Sequence, residues 1–189
     1  MPSTYSSLKI ELPATGEQSG TWGNTTNTNL GTALGDAITG SVDVTFSSAD
    51  VTLTLTDTNA AQVARNLRLN LTGTSGGARQ LILGSGCQIE KLYLINNGLA
   101  DAVTVKNTTG TGISVPAGRS MFVFNNGTNV VDVITYASSL TLGSVLPVLS
   151  GGTGASTLTG LVLGNGTSAM TTVTAPSGAV VGTTDTQTL

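Results

Sequence analysis

The chain has 189 residues, 25 of them glycine, with 39% hydrophobic and only 9% charged residues, against about 25% charged in an average globular domain. It carries no histidine, which removes Ser-His-Asp and Cys-His nucleophilic chemistry and ordinary zinc sites. With a net charge of −3 and scattered basic residues, it offers no patch for nucleic-acid phosphates.

The surface implied by this composition is polar but uncharged, built from Thr, Ser and Asn. Disorder is not expected, because the hydrophobic residues alternate regularly and the net charge is low. No apolar run approaches the roughly 18 residues of a membrane span. The opening MPSTYSSLKIELP has neither a basic start nor the apolar core of a signal peptide.

Taken in order, Leu8, Ile10 and Leu12 alternate with Lys9 and Glu11 as in a half-buried strand, and Pro13 ends it. Trp22, Leu30, Leu34 and Ile38 then follow at spacings that form the i, i+4 row of a helix, capped near Thr21 or Asn24 and closed by Gly40. Thr, Asn, Gly31 and Gly35 each weaken this helix by roughly 0.5–1 kcal/mol relative to Ala, so it must rely on packing. Two readings of Trp22 stand side by side: it caps the core of its own domain, or it contacts another protein.

From Ser41 the period becomes two. Val42, Val44 and Phe46 form one strand and Val51, Leu53 and Leu55 another, joined by SSAD. Thr58 to Arg65 reads as one or two helical turns after Asp57, and Leu67, Leu69 and Leu71 resume the alternation, followed by Gln80 to Leu83. Gln88 to Thr135 is a run of short apolar stretches divided by Asn97-Gly98, Pro116-Ala117-Gly118 and Asn126-Gly127. Asn-Gly between apolar runs favours tight hairpins, which predicts an antiparallel meander. Tyr93, Phe122, Phe124 and Tyr136 are expected in the core, Glu90 and Lys91 as a surface pair, and the lone Cys87 as a buried thiol on a strand edge. Residues 41–137 thus predict an antiparallel β-sandwich or jelly-roll-like domain.

Beyond Tyr136 Gly, Thr, Ser and Ala dominate, with isolated hydrophobics at Leu158, Leu161, Val162, Leu163, Met170 and Val173. A single copy of so Gly-rich a segment has no means of burying them. The ending at Asp185 to Leu189 falls in mid-pattern, which predicts a further distal part.

Three stretches resemble parts of bacteriophage tail fibre proteins. These are Leu12 to Gly40 (LPATGEQSGTWGNTTNTNLGTALGDAITG), the EKLYLINN…VTVKN…GTGISVPAGRSMFVFNNGTNVVD series, and Ser150 to Val173 (SGGTGASTLTGLVLGNGTSAMTTV). The resemblance implies a mainly β homotrimer in the viral tail. In it, residues 1–40 form a virion-anchoring segment and 138–189 an intertwined, Gly/Ser/Thr-rich shaft. It further implies attachment to a phage tail adaptor or nozzle protein, and host glycan or protein recognition by a distal region. On this reading Trp22, Leu30, Leu34 and Ile38 contact the virion, and Leu158, Leu161, Leu163 and Val173 lie along the trimer axis. Neither nucleic acid binding nor membrane insertion is expected.

Chemistry has little to work with. The Gly-rich Ser150–Gly154 stretch lacks the lysine of a phosphate-binding loop, since the only lysines are Lys9, Lys91 and Lys106. No EF-hand spacing occurs. A glycosidase-like carboxylate pair is what remains, but Glu11, Glu17, Glu90 and the seven aspartates sit where strand edges and Asx turns explain them. The chain reads as a structural protein without cofactor, with a carbohydrate-binding sandwich as the alternative.

Overall fold

The computed structural model describes residues 2–139, 141–174 and 177, and the Asp185 to Leu189 ending lies outside them. The chain divides into two compact units, Met1–Thr135 and Tyr136–Leu189. It is mainly β. Residues 1–40 fall in the same unit as the strands that follow them.

The first unit opens with a small hairpin of β1 (Thr4–Tyr5) and β2 (Glu11–Leu12). The half-buried strand expected from Leu8 is therefore cut short. Lys9 has a φ of 61° and its N–H bonds back to the Ser6 carbonyl at 2.8 Å, so Ser6–Lys9 is a turn. A helix follows in three parts, α1 (Trp22–Thr28), a π-helical segment (Asn29–Leu34) and α2 (Gly35–Thr39). It spans the predicted stripe, but Thr21 makes no side-chain cap. Gly40 ends it in extended conformation, and glycine is needed there because a Cβ would collide with the Asn66 side-chain oxygen and the Asp36 carbonyl.

Nine strands follow, and over the first six of them the chain alternates between two sheets. β3 (Ser41–Ser47), β5 (Arg68–Thr74), β7 (Glu90–Asn97), β10 (Ser120–Asn126) and β11 (Val130–Asp132) make a five-stranded sheet in the order β11-β10-β7-β5-β3. β4 (Val51–Leu53), β6 (Arg79–Leu83), β8 (Val103–Asn107) and β9 (Ile113–Val115) make the other, in the order β4-β6-β8-β9. Three consecutive pairs, β3/β4, β5/β6 and β7/β8, are stacked coils. Ser41, Arg68 and Leu94 lie in register across the first sheet, and Leu81 and Val105 in the second.

Within each sheet these coils pair in parallel, which corrects the all-antiparallel expectation. Among the described residues of this unit, antiparallel pairing is confined to β1–β2, β7–β10, β8–β9 and β10–β11. Alternation along a strand says which side chains point inward, not which strand lies beside it. At Asn126-Gly127 the hairpin forms, with Gly127 at a φ of 85°. At Asn97-Gly98 it does not. Asn97 is buried and donates to the Asp101 and Val115 carbonyls while accepting from the Leu99 N–H, and this bends the chain across to the opposite sheet.

Inward residues of both sheets join one hydrophobic cluster, including Phe46, Leu69, Tyr93, Ile95 and Val123 from the first sheet and Leu81, Leu83, Val103, Val105 and Val115 from the second. Each such side chain contributes about 1.5–3 kcal/mol by leaving water. Between β4 and β5 the predicted helical turns shrink to one 3₁₀ turn, Val63–Arg65, whose preceding residue is Gln62 rather than an Asp57 cap.

Among its described residues the second unit holds a 3₁₀ turn (Val148–Ser150) and one antiparallel hairpin of β12 (Leu161–Leu163) and β13 (Thr171–Val173).

Candidate docking face

The helix presents its apolar stripe to solvent. Trp22 is 65% exposed, Leu30 60% and Ile38 59%, with Leu34 half-buried, while Ala33 is the helix's fully buried residue. Trp22 is therefore not a core cap. Between these residues lies a shallow apolar depression lined by Leu30, Leu34, Gly35 and Ile38.

Polar side chains hold this weak helix in place. The Asn29 amide imitates a strand partner: it accepts from the Glu11 N–H at 3.0 Å and donates to the Glu11 carbonyl at 2.7 Å. Asn59 donates to the same Asn29 oxygen at 3.1 Å. Gln18 bridges Glu11 to Thr25, donating to the former and accepting from the latter. At the other end, the Leu67 N–H bonds the Asp36 carbonyl, and the Asp36 carboxylate lies 3.7 Å from the Arg65 guanidinium. Arg65 is fully buried and donates to the Thr58, Asn59 and Ala60 carbonyls, leaving its Nε without a partner.

Lys91 departs from expectation. It is not in a surface pair with Glu90: only 7% of it is exposed, whereas Glu90 faces outward. Its ammonium lies 4.2 Å from the centre of the Tyr93 ring and donates to the Asn66 and Leu92 carbonyls at 3.3 and 3.2 Å. Burial pulls its pKa down to about 8. Sequence reasoning missed this site because β7 carries apolar residues on both faces. The signal available was the two-residue step Lys91, Tyr93, Ile95, which places the lysine with the core.

On the outer face of the five-stranded sheet, Asn70 donates to Asp43 at 2.7 Å, Asn96 to Asn70, and Ser120 to Asn96 at 2.7 Å, a polar ladder across four strands. Beside it Phe122 is 45% exposed, and Phe124 also faces outward, so neither belongs to the core where Tyr93 sits. Tyr136 is exposed as well. Cys87 is buried, with its Sγ 3.6 Å from the Leu53 carbonyl and its pKa pushed up to about 11 by desolvation.

In the second unit Leu161, Leu163 and Val173 are exposed on the hairpin and Leu158 is half-buried. The cross-strand pair Leu161–Val173 brings two of the four predicted axis residues together.

Among the described residues no helix is long and apolar enough to cross a membrane, and no group of three or more His, Cys, Asp or Glu could hold a metal ion. No protein-family model, curated protein or solved structure matches the chain.

Proposed function

We propose that this chain is the virion-proximal part of a phage tail fibre, a structural homotrimer that attaches the fibre to the tail and supports host recognition by a distal region. The observation that carries the attachment is the solvent-facing stripe of Trp22, Leu30 and Ile38 on a helix braced from behind by polar side chains. Large apolar residues held in fixed positions on a surface are what a partner protein buries. The tail adaptor or nozzle protein is that partner.

In this reading residues 1–40 anchor, the two sheets of 41–137 form a sandwich that starts the projecting fibre, and 138–189 begin an intertwined shaft. Leu158, Leu161, Leu163 and Val173 face the threefold axis, which supplies the cover that a single copy leaves missing. Host attachment is mechanical and multivalent, because several fibres on one particle raise avidity above any single contact. Removing residues 1–40 is expected to abolish fibre incorporation into particles. Fibres retained after that deletion would refute the anchoring role.

A second reading has an observation of its own. The Asp43–Asn70–Asn96–Ser120 ladder beside the exposed Phe122 ring is the mixture of amides and an aromatic face on which a host glycan can rest. Glycan binding by the full chain that is lost in Phe122→Ala would favour it.

A further inference from the structure

Where the end of the helix crosses the beginnings of β5 and β7, an open cleft of about 420 Å³ is lined by Leu34, Ile38, Leu67 and Leu92, with Glu90 and Lys91 as its charged members. Lys91 is the member that does not fit an ordinary apolar groove. An ammonium has three donors, and this one sends two into long bonds to backbone carbonyls, with the Tyr93 ring 4.2 Å away as its remaining neighbour. No carboxylate lies within 4.0 Å of it, since the ion pairs among the described residues are Lys9–Asp57 and Arg65–Asp36. Arg65 belongs to the same end of the core, adjacent in sequence to the Asn66 carbonyl that Lys91 contacts. Arg65 thus has the Asp36 carboxylate at 3.7 Å, whereas Lys91 has the Tyr93 ring but no anion within 4.0 Å, the Glu90 carboxylate of the same cleft facing outward, and a buried charge without a counter-ion is costly. The lowered pKa of the Lys91 amine is the same imbalance seen in titration.

We propose that this cleft receives a segment of the fibre's attachment partner that carries one carboxylate beside apolar side chains. The carboxylate binds the third donor of Lys91, and the apolar groups lie on Leu34, Ile38, Leu67 and Leu92. The inference rests on the anchoring reading and adds to it the chemistry of the partner: an acidic residue within a hydrophobic stretch, not a basic or purely apolar one. It also places one carboxylate-reading lysine next to the exposed helix stripe, so a single partner segment can use both.

The probe is octanoate, a carboxylate on an apolar chain, added to the intact chain while the lysine side-chain ε resonances are followed by NMR. With Lys9, Lys91 and Lys106 the only lysines, three signals suffice. Octanoate should move the Lys91 signal saturably and leave the other two in place, and 1-octanol should bind about tenfold or more weakly, as expected for the loss of one charge-assisted bond. Lys91→Met fills the same space without the charge and should erase the difference between the two probes. Equal binding of octanol and octanoate, or an unmoved Lys91 signal, overturns the proposal. In assembled particles, carbodiimide should join Lys91 by an amide bond to an Asp or Glu of a different protein. A link to a second copy of this chain, or no link, overturns the choice of occupant. If fibres instead persist on particles after Trp22→Ser and Leu30→Ser while octanoate still binds, the anchoring reading fails and the cleft's chemistry stands.

Discussion

The Asn107–Asn125 pair is where the fold is most exposed to a single change. Both side chains are buried in the core, each amide donates to the other's oxygen at 2.9 and 3.0 Å, and Asn125 also donates to the Cys87 carbonyl at 2.8 Å and accepts from the Gly127 N–H at 3.0 Å. Asn125→Ala removes four bonds at once. The Gly127 N–H lies near the surface and can turn to water, and the Cys87 carbonyl keeps the Ile89 N–H at 2.8 Å, but both ends of the Asn107 amide are left unpaired in the core. At about 1–3 kcal/mol for each of the two buried groups left unpaired, the substitution should cost roughly 2–6 kcal/mol, a fall of about 6–20 °C in Tm for a unit of this size. Urea denaturation followed by circular dichroism measures it. Asn126→Ala, which removes only exposed turn contacts to the Thr128 and Asn129 N–H groups, is the control and should cost about 1 kcal/mol or less. Adding Asn107→Ala to Asn125→Ala should cost less than the sum of the two, since the orphaned amide is then gone. An Asn125→Ala midpoint indistinguishable from that of Asn126→Ala would refute the reasoning.

Cys87 should resist thiol reagents in the folded chain near neutral pH, because it is buried and its pKa is raised to about 11; its labelling rate should follow unfolding, and rapid labelling would contradict the burial. The Lys91 amine titrates at about 8 when folded and at 10.5 when free, so the unfolded chain binds the extra proton between those values and stability rises with pH across that window. The unfolding free energy of the wild type minus that of Lys91→Met should therefore climb from about pH 8 to 10.5 and level off above, and a flat difference would refute the shift. Gly40→Ala should destabilise by about 2 kcal/mol or more, read from the same urea curves, because its Cβ collides with Asn66 and the Asp36 carbonyl. Trp22→Ser with Ile38→Ser should leave the urea midpoint nearly unchanged, while on the proposed anchoring role particles assembled with it should lack the fibre; particles that keep it would refute that role.

Much of the architecture was legible because alternation is a direct record of burial. Val44 and Phe46, Leu69 and Leu71, and Tyr93 and Ile95 all point inward as their two-residue spacing predicts. What did not follow was pairing. The meander reading rested on Asn97-Gly98, yet the same dipeptide chemistry serves a bend between sheets when the Asn side chain finds buried carbonyls, as Asn97 does at Val115. The coil repeat was present in the regular return of alternating segments from Ser41, Arg68 and Glu90 onward, and becomes visible only when those segments are compared with one another rather than read singly. Phe122 was misplaced for a related reason: SMFVFNN offers two candidate inner faces, and buried Asn125, held by its four bonds, goes inward with Val123 and turns both phenylalanines out.

The helix stripe and the Lys91 cleft share a physical logic. A helix this poor in propensity survives only if something other than its apolar face fixes it, because that face is turned to solvent. Asn29 does this at its middle by standing in as a strand partner for Glu11, and Asp36 does it near its end through Arg65 and the Leu67 N–H. Placing the fastening on polar groups behind the helix frees Trp22, Leu30 and Ile38 from structural duty. Lys91 repeats the arrangement on the sheet: its stem lies in the core while its ammonium lacks an anion, so the position is costly unless the missing charge arrives with a partner. Both features lower the stability of the isolated chain relative to a bound state, which is the behaviour the proposed anchoring role requires.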